Sequence, residues 1–431
     1  MKASQFNNFF FYEEKHIGYN AFTNEFMLLE PELYDIFNAA KHRNEWEELK
    51  TIHSNFYDFL MEKGFIIDDF DDEIEKVKKL VHEIDKENDE FFQLTINPTM
   101  NCNFKCWYCY ETHIKASKMS PETINNIITL VDNILIEKKN LKGFHLQWFG
   151  GEPLLYFDST VVPLLKGIHP KMTEKNISFS SGFTTNGLLI NQKMLDLCKS
   201  LGVGHFQITL DGHRERHNQV RYISKERGSY DEIVNNIKLC TMNELSTSTR
   251  INVSEETLNN LSKIMYDFID LDDKSKEYLN FSFHEVWQEE KDITQDIQEV
   301  VNLFRDNGFN TLYKGVNLDT VRNSCYADKK NQATINYNGD IFKCTARDFE
   351  TKSREGVLNG KGIIDWNEKY EERMNSKFKN PPCLECKILP ICNGGCSQQA
   401  IEHKGQEYCI HNFDENKKLE IIKDKFLYAI S

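Results

Sequence analysis

The residues of this chain best suited to chemistry are three cysteines in one short run, Cys102-Asn103-Phe104-Lys105-Cys106-Trp107-Tyr108-Cys109. Three residues separate the first pair and two separate the second. Thiolates at this spacing can each take one iron of a cubane [4Fe-4S] cluster, which in its closed form is held by four cysteines. With three, the fourth iron has no ligand from the loop and stays open to an outside one. Such a cluster can react as well as carry electrons. A structural zinc site is the plain alternative, but it asks for four nitrogen or sulfur ligands, commonly as two pairs.

A second concentration of thiols lies towards the C-terminus. Of the twelve cysteines, seven fall between Cys325 and Cys409. Cys325 and Cys344 flank the turn Tyr337-Asn338-Gly339-Asp340; Cys383, Cys386, Cys392, Cys396 and Cys409 follow. Pro381-Pro382 and Gly394-Gly395 break regular structure there, so metal ligation rather than an ordinary core would organise the segment. Two zinc sites are the alternative to two clusters. Cys198 and Cys240 stand alone in helical segments and read as small core hydrophobes. Cysteines grouped in this way, in a chain whose first twelve residues lack a secretory signal, point to metal or redox work in the cytoplasm.

Composition narrows the field further. A formal charge of −15 disfavours nucleic acid, whose phosphates select basic surfaces. No apolar run reaches the length of about 18 residues that a membrane span requires. Usage is globular, with 40% hydrophobic and 28% charged residues, and 431 residues predict two or three domains.

Strand and helix patterns alternate from Phe91 onwards. Apolar strands are expected at Phe91–Asn97, Phe144–Phe149, Ile177–Thr184, His205–Leu210, Thr249–Val253 and Tyr278–Val286. Helices fall between them: one opened by Ser120-Pro121, one over Asn191–Ser200, one behind the capping-box signature Ser229-Tyr230-Asp231-Glu232, and one over Glu255–Ile269. Repeated βα units give parallel strands with right-handed crossovers. Six units are too few for the closed eight-fold barrel, so the expected fold is α/β, a partial (βα)6 barrel. Ligands bind such sheets at the carboxyl ends of the strands, which is where the cysteine loop begins. Three more ligand-type turns follow strands: Gly150-Gly151-Glu152-Pro153, Thr184-Thr185-Asn186-Gly187, and Thr209-Leu210-Asp211-Gly212 with Arg221 beyond it. Paired glycines let a backbone approach a ligand closely, and Glu152 can accept from an ammonium group. No general base stands out; Glu285 and Asp211 are only the carboxylates nearest strand ends.

Upstream, residues 1–67 read as strands followed by a helix pair (the second over Trp46–Lys63) and a short strand, a winged-helix-like order. Residues 68–90 carry the apolar stripe Ile74, Val77, Val81 and Ile84 of a helical connector. A helix over Asp414–Tyr428 ends the chain.

With these motifs in place the sequence resembles the radical S-adenosylmethionine (SAM) enzymes. The cysteine spacing, the Gly-Gly-Glu-Pro turn and the partial barrel over residues 91–315 carry that likeness. The seven cysteines within residues 316–431 match the C-terminal SPASM extension of the superfamily. The resemblance implies that Cys102, Cys106 and Cys109 hold the catalytic [4Fe-4S] cluster and that SAM chelates its open iron. It places Tyr108 at the adenine, Gly150, Gly151 and Glu152 at the methionine amino group, Asn186 by the ribose and Arg221 at the methionine carboxylate. It further implies two auxiliary [4Fe-4S] clusters, making three in all. One would be held by Cys383, Cys386, Cys392 and Cys409, the other by Cys325, Cys344 and Cys396. Residues 309–324 hold no further cysteine, so that second cluster would keep an open iron. Relatives that mature ribosomally made peptides carry a small winged-helix module that binds the precursor's leader, and residues 1–67 match it in length and position. The expected function is therefore peptide maturation by a thioether or carbon–carbon crosslink, driven by an external one-electron reductant. A sulfatase-type maturase is the first alternative, against which stands Thr345 where that branch has an aspartate. A non-catalytic electron carrier is the second.

Overall fold

Alternating apolar and polar residues build one eleven-stranded sheet, seen here in a computed structural model that describes residues 1–224, 226–286, 291–313 and 324–430. The strands are β1 (Phe91–Ile96), β2 (Gly143–Trp148), β3 (Ser178–Thr185), β4 (Val203–Leu210), β5 (Ser246–Val253), β6 (Leu279–Glu285), β7 (Asn310–Leu312), β8 (Gln332–Ile335), β9 (Asp340–Phe342), β10 (Gly356–Leu358) and β11 (Ile364–Trp366). Their order is β7-β6-β5-β4-β3-β2-β1-β8-β9-β10-β11. Pairing is parallel from β7 through β1 to β8, then antiparallel to β11. This sheet belongs to a unit of residues 89–313 and 331–369. The expected boundary between residues 315 and 316 lies outside the described residues.

The helices form where the sequence supplies a cap and an apolar stripe. Ser120 Oγ accepts from Thr123 N at 3.0 Å, Pro121 occupies the first turn, and the helix Pro121–Glu137 buries Ile124, Ile127, Val131 and Ile134. Each such side chain contributes about 1.5–3 kcal/mol of burial. Asn191 caps Gln192–Ser200 in the same way, accepting from Met194 N at 3.1 Å. These helices cover one face of the sheet, where Leu94, Leu146, Phe183, Phe206, Ile251 and Phe281 are wholly buried.

Three local expectations fail for identifiable reasons. The helix expected over Glu255–Ile269 is broken into Glu255–Leu258 and Lys263–Tyr266, because Asn259 turns extended and Asn260 takes a left-handed φ of 65°. The helix Tyr230–Met242 starts where expected, but the Ser229 hydroxyl does not cap it. It donates instead to Arg221 O at 2.9 Å. Trp46–Ile52 and Ser54–Glu62 are separate helices, parted at His53, whose Nδ1 accepts from Phe56 N at 3.3 Å.

A second unit comprises residues 1–88, 324–330 and 370–430. Its antiparallel sheet runs Asn7–Tyr12, Lys15–Asn20, Glu25–Leu29. One face buries Met27 and Leu29 with Phe37, Trp46 and Leu60 of the following helices. The other buries Phe6, Phe10, Ile17 and Tyr19 with Val77, Ile388 and Phe426. Phe426, on the C-terminal helix Glu415–Ile430, sits 5.6, 5.3 and 5.5 Å from the rings of Phe10, Tyr12 and Phe26. Lys377 ties three segments of this unit together, pairing with Asp85 at 3.0 Å and Asp328 at 2.9 Å.

Candidate active site

The loop that carries Cys102, Cys106 and Cys109 has no regular secondary structure, so other groups must hold it. Thr99 Oγ1 donates to Ser117 O at 2.6 Å and accepts from Asn101 N at 2.8 Å, and Ser117 Oγ accepts from Met100 N at 2.9 Å. Met100 is buried with Phe342 of β9 and Phe349 of the loop that follows it. Beyond the third cysteine, Tyr110 OH donates to Thr345 O at 2.7 Å, and Thr112 N donates to Asp348 Oδ1 at 2.9 Å. The segment following Cys344 is thereby tied to the segment following Cys109.

The Gly150-Gly151 turn is interlocked with this loop. Glu152 N donates to Asn101 O at 2.8 Å. A Cβ on Gly151, whose φ is +50°, would stand 2.3 Å from the same carbonyl oxygen. A Cβ on Gly150 would stand 2.6 Å from Asn97. Only glycine allows both the left-handed conformation and the close approach. Gly151 N donates to Glu111 Oε2 at 2.6 Å, and burial pushes the Glu111 carboxyl up to about 7.

Glu152 is 1% exposed and accepts three hydrogen bonds from the chain, from Leu154 N, Thr185 Oγ1 and Asn186 N at 3.0, 2.7 and 2.8 Å. Burial pushes its carboxyl up despite these donors. Asn186 Nδ2 donates to Asn103 Oδ1 at 2.7 Å, inside the cysteine loop. Arg221 is buried and forms an ion pair with Asp211 at 2.5 Å. Both groups meet Tyr108: its hydroxyl donates to Asp211 Oδ2 at 2.6 Å and accepts from Arg221 Nη2 at 2.6 Å. Burial alone would raise the Asp211 carboxyl, but the Arg221 guanidinium and the Tyr108 hydroxyl hold it below the usual range. Glu285 accepts from Tyr313 OH at 2.5 Å. Each of Tyr108, Gly150, Gly151, Glu152, Asn186 and Arg221 thus touches the cysteine loop or a group bonded to it.

The donor set suits clusters better than a lone ion. Among the described residues, no three His, Cys, Asp or Glu side chains come close enough to share one metal ion. Zinc draws its ligands to a point, whereas a cubane gives each thiolate its own iron. Burial pushes the thiols of Cys102 and Cys109 up to about 12 and about 11 and raises Cys106, so ligation would displace protons. Beside the loop, both carboxamide atoms of Asn97 lack a hydrogen-bond partner although the residue is 0% exposed, which suits a site that gains a polar group on loading.

The C-terminal thiols are distributed between the units. Cys344 lies in the larger one; Cys325, Cys383, Cys386, Cys392, Cys396 and Cys409 lie in the smaller. Cys383, Cys386, Cys392 and Cys409 line one pocket together with Leu389 and Tyr408. Burial pushes Cys392 up to about 12. Four thiols around one pocket match the number of ligands that a closed cubane takes.

Some residues at the site carried no motif. Asn103, Glu111, Arg250, Asn252 and His284 were not singled out in the sequence. For the last three the signal was there: Thr209 and Asp211, Arg250 and Asn252, Ser282 and His284 alternate with wholly buried hydrophobics, the period-two mark of a sheet with one polar face.

Comparison with known proteins gives a consistent picture. Residues 96–268 match the model of the Radical SAM superfamily. Over 407 residues the chain is 25% identical to the radical SAM cyclopropyl synthase TigE of Paramaledivibacter caminithermalis, spanning 86% of this chain and 81% of that protein. It is 28% identical over 173 residues to a cysteine-type anaerobic sulfatase-maturating enzyme of Clostridium novyi, spanning 38% of this chain and 44% of the relative. Two solved structures share the fold. Streptococcus suis SuiB bound to precursor peptide SuiA has a TM-score of 0.54 at 17% identity, covering 94% of this chain and 98% of that one. The enzyme anSMEcpe with bound AdoMet and Cp18Cys peptide also has a TM-score of 0.54, at 19% identity, covering 79% and 97%.

Proposed function

Since its 96–268 domain makes this chain a radical SAM enzyme, we propose that it matures a ribosomally made precursor peptide by forming a thioether or carbon–carbon crosslink. The observation that carries the reading is the interlock of the Cys102–Cys109 loop with the Gly150-Gly151 turn at the carboxyl ends of β1 and β2. Cys102, Cys106 and Cys109 would hold the SAM-binding cluster. Tyr108, Gly150, Gly151, Glu152, Asn186 and Arg221 would frame the SAM site. When bound, the reduced cluster and SAM supply a 5′-deoxyadenosyl radical able to take hydrogen from an unactivated carbon. The chain's own part is orientation and exclusion: Thr99 and Ser117 fix the loop, the Asp211–Arg221 pair fixes Tyr108, and buried Met100, Phe342 and Phe349 close the loop's underside to water.

In this reading Cys383, Cys386, Cys392 and Cys409 hold one auxiliary cluster and Cys325, Cys344 and Cys396 the other. These clusters would take up the electron that crosslinking leaves on the substrate, and an external one-electron reductant in the cytoplasm would supply the electron that SAM cleavage consumes. Residues 1–67 bind the leader; their three-stranded sheet has two edge strands, and edge pairing is a sequence-tolerant way to hold an extended peptide. The solved SuiB complex with its precursor peptide supports a peptide substrate. No helix among the described residues is long and apolar enough to cross a membrane. Oxidation of a Cys or Ser side chain, as in sulfatase maturation, is the competing reading and rests on the 173-residue match. The 407-residue match to a cyclopropyl synthase outweighs it. The domain itself sets aside a purely electron-carrying role.

The test has two stages. Anaerobically reconstituted protein with dithionite should convert SAM to 5′-deoxyadenosine. Co-expression with short peptides encoded beside its gene should give a product lighter by two hydrogens, about 2 Da per crosslink. Absence of SAM cleavage would overturn the reading, and conversion of Cys or Ser to an aldehyde would replace it with the sulfatase type.

A further inference from the structure

The sheet face turned away from the helices holds a cation that, among the described residues, no carboxylate contacts directly. Arg250 lies on β5, half-buried, with Thr209 of β4 and Ser282 of β6 as its ladder neighbours. Its Nε donates to Asn252 Oδ1 at 3.0 Å. Among the described residues its other guanidinium nitrogens have no ion-pair partner. The contrast with Arg221 is direct, since that guanidinium is matched by Asp211 at 2.5 Å. His284, beside Arg250, adds no negative charge: its Nε2 lies 2.8 Å from Ser282 Oγ, and burial with the nearby Arg250 cation drives it down to about 4, leaving it neutral. The nearest carboxylate, Asp211, is reached only through Asn252 and is already paired with Arg221, and a half-buried guanidinium without a direct ion pair is costly to the empty protein. Its planar fork is shaped for two-point binding of a carboxylate.

Arg250 is also wired to the catalytic loop. Asn252, which accepts from Arg250, donates through Nδ2 to Asp211 Oδ1 at 3.0 Å. Asp211 in turn accepts from Tyr108, the residue before Cys109. A group held by Arg250 would therefore be linked to the tyrosine of the cysteine loop through three side chains, Arg250, Asn252 and Asp211. We propose that Arg250 is the substrate-anchoring residue of this chamber and that it binds a carboxylate of the peptide substrate, either an Asp or Glu side chain or the C-terminal α-carboxylate. The proposal rests on the radical SAM reading of the site, which makes the polar face of the sheet the substrate chamber.

The test is a binding measurement on anaerobic holoenzyme saturated with SAM. Saturation-transfer NMR would be run with N-acetyl-aspartyl methylamide, N-acetyl-glutamyl methylamide and N-acetylglycine, and with N-acetyl-asparaginyl methylamide as the neutral control. At least one carboxylate probe should bind where the asparaginyl amide does not. Arg250→Gln should weaken that probe about tenfold or more, and Arg250→Lys should restore part of the loss. Binding by the side-chain probes identifies an Asp or Glu; binding by N-acetylglycine alone identifies the C-terminus. The idea is overturned by equal affinity for the asparaginyl control, by equal affinity in Arg250→Gln, or by binding of no probe. It is equally overturned if Arg250→Gln raises the Kd for SAM and leaves the probes unchanged. Release of 5′-deoxyadenosine, measured in parallel, reports on the radical SAM reading itself, so the two can fail separately.

Discussion

Cys102, Cys106 and Cys109 hang from a loop pinned by Thr99 and Ser117, the Gly150-Gly151 turn and the Asn103–Asn186 bond, all anchored to strand ends. Cys383, Cys386, Cys392 and Cys409 are carried by a segment whose helices, Pro381–Leu384, Leu389–Cys392 and Ser397–Glu402, are four, four and six residues long. Around the first thiols the protein supplies the frame and leaves a polar, partly open surface, with Trp107 57% exposed. Around the second it supplies a mostly apolar pocket with fewer pins, chiefly Asn380 Nδ2, which donates to Cys383 Sγ at 3.1 Å and to Tyr408 O at 2.7 Å. On the proposed reading, the first arrangement would frame its site before any metal arrives, and the second would owe more of its order to metal.

Single substitutions should separate the two regions most widely. Cys106→Ala should abolish 5′-deoxyadenosine formation, by about a thousandfold or more, about 4 kcal/mol in barrier. Cys386→Ala should leave SAM cleavage largely intact and remove crosslinked peptide instead. Equal loss of cleavage in both variants would erase the distinction. Chelating the iron sharpens the same contrast: hydrogen exchange should rise across Cys383–Cys409 while β1 to β6 stay protected.

The frame around the first region has its own vulnerable pair. Asp211→Asn leaves Arg221 buried without a counter-charge and should cost about 3–5 kcal/mol, read from the urea midpoint. Asp211 is held below its usual range, so its contribution is present above the unfolded value near pH 3.9 and lost as pH falls through the lower folded value. The wild-type midpoint should therefore fall with pH below about 4, and Asp211→Asn should make that fall shallower.

Two glycines compare the regions more finely. Gly151→Ala meets a backbone oxygen at 2.3 Å and should cost about 2–3 kcal/mol with loss of SAM cleavage. Gly394→Ala, with φ +73° but its nearest atom at 3.6 Å, should cost only the left-handed penalty of about 1 kcal/mol. Thermal melts of both variants would show whether the order is right. An effect of the same small size, outside both regions, belongs to Cys198→Ala. It removes a wholly buried sulfur from the helix Gln192–Ser200 and should cost about 1 kcal/mol while leaving iron content unchanged.

Much of the site could be read from the chain alone, because cysteine spacing, paired glycines and strand-end position are local properties. Strands β1 to β6 fall within three residues of their expected bounds for the same reason. What could not be read was tertiary. Nothing near Tyr108 announces that its hydroxyl will meet Asp211 and Arg221, more than a hundred residues away. Ser229 carries a capping signature, yet its hydroxyl is claimed by Arg221 O and His217. Strands β8 to β11 are three or four residues long, too short for periodicity to reveal which sheet they join.

That joining has a consequence for how such a protein can be assembled from parts. β8 pairs in parallel with β1, the strand that launches the cysteine loop, and Met100 of that loop is buried against Phe342 and Phe349. A cut near residue 316, where a cassette boundary would fall, strips four strands from the catalytic sheet and bares the full edge of β1. The cysteine-rich extension is thus no detachable accessory: a lineage that lost it or exchanged it for another would first have to find a new neighbour for β1.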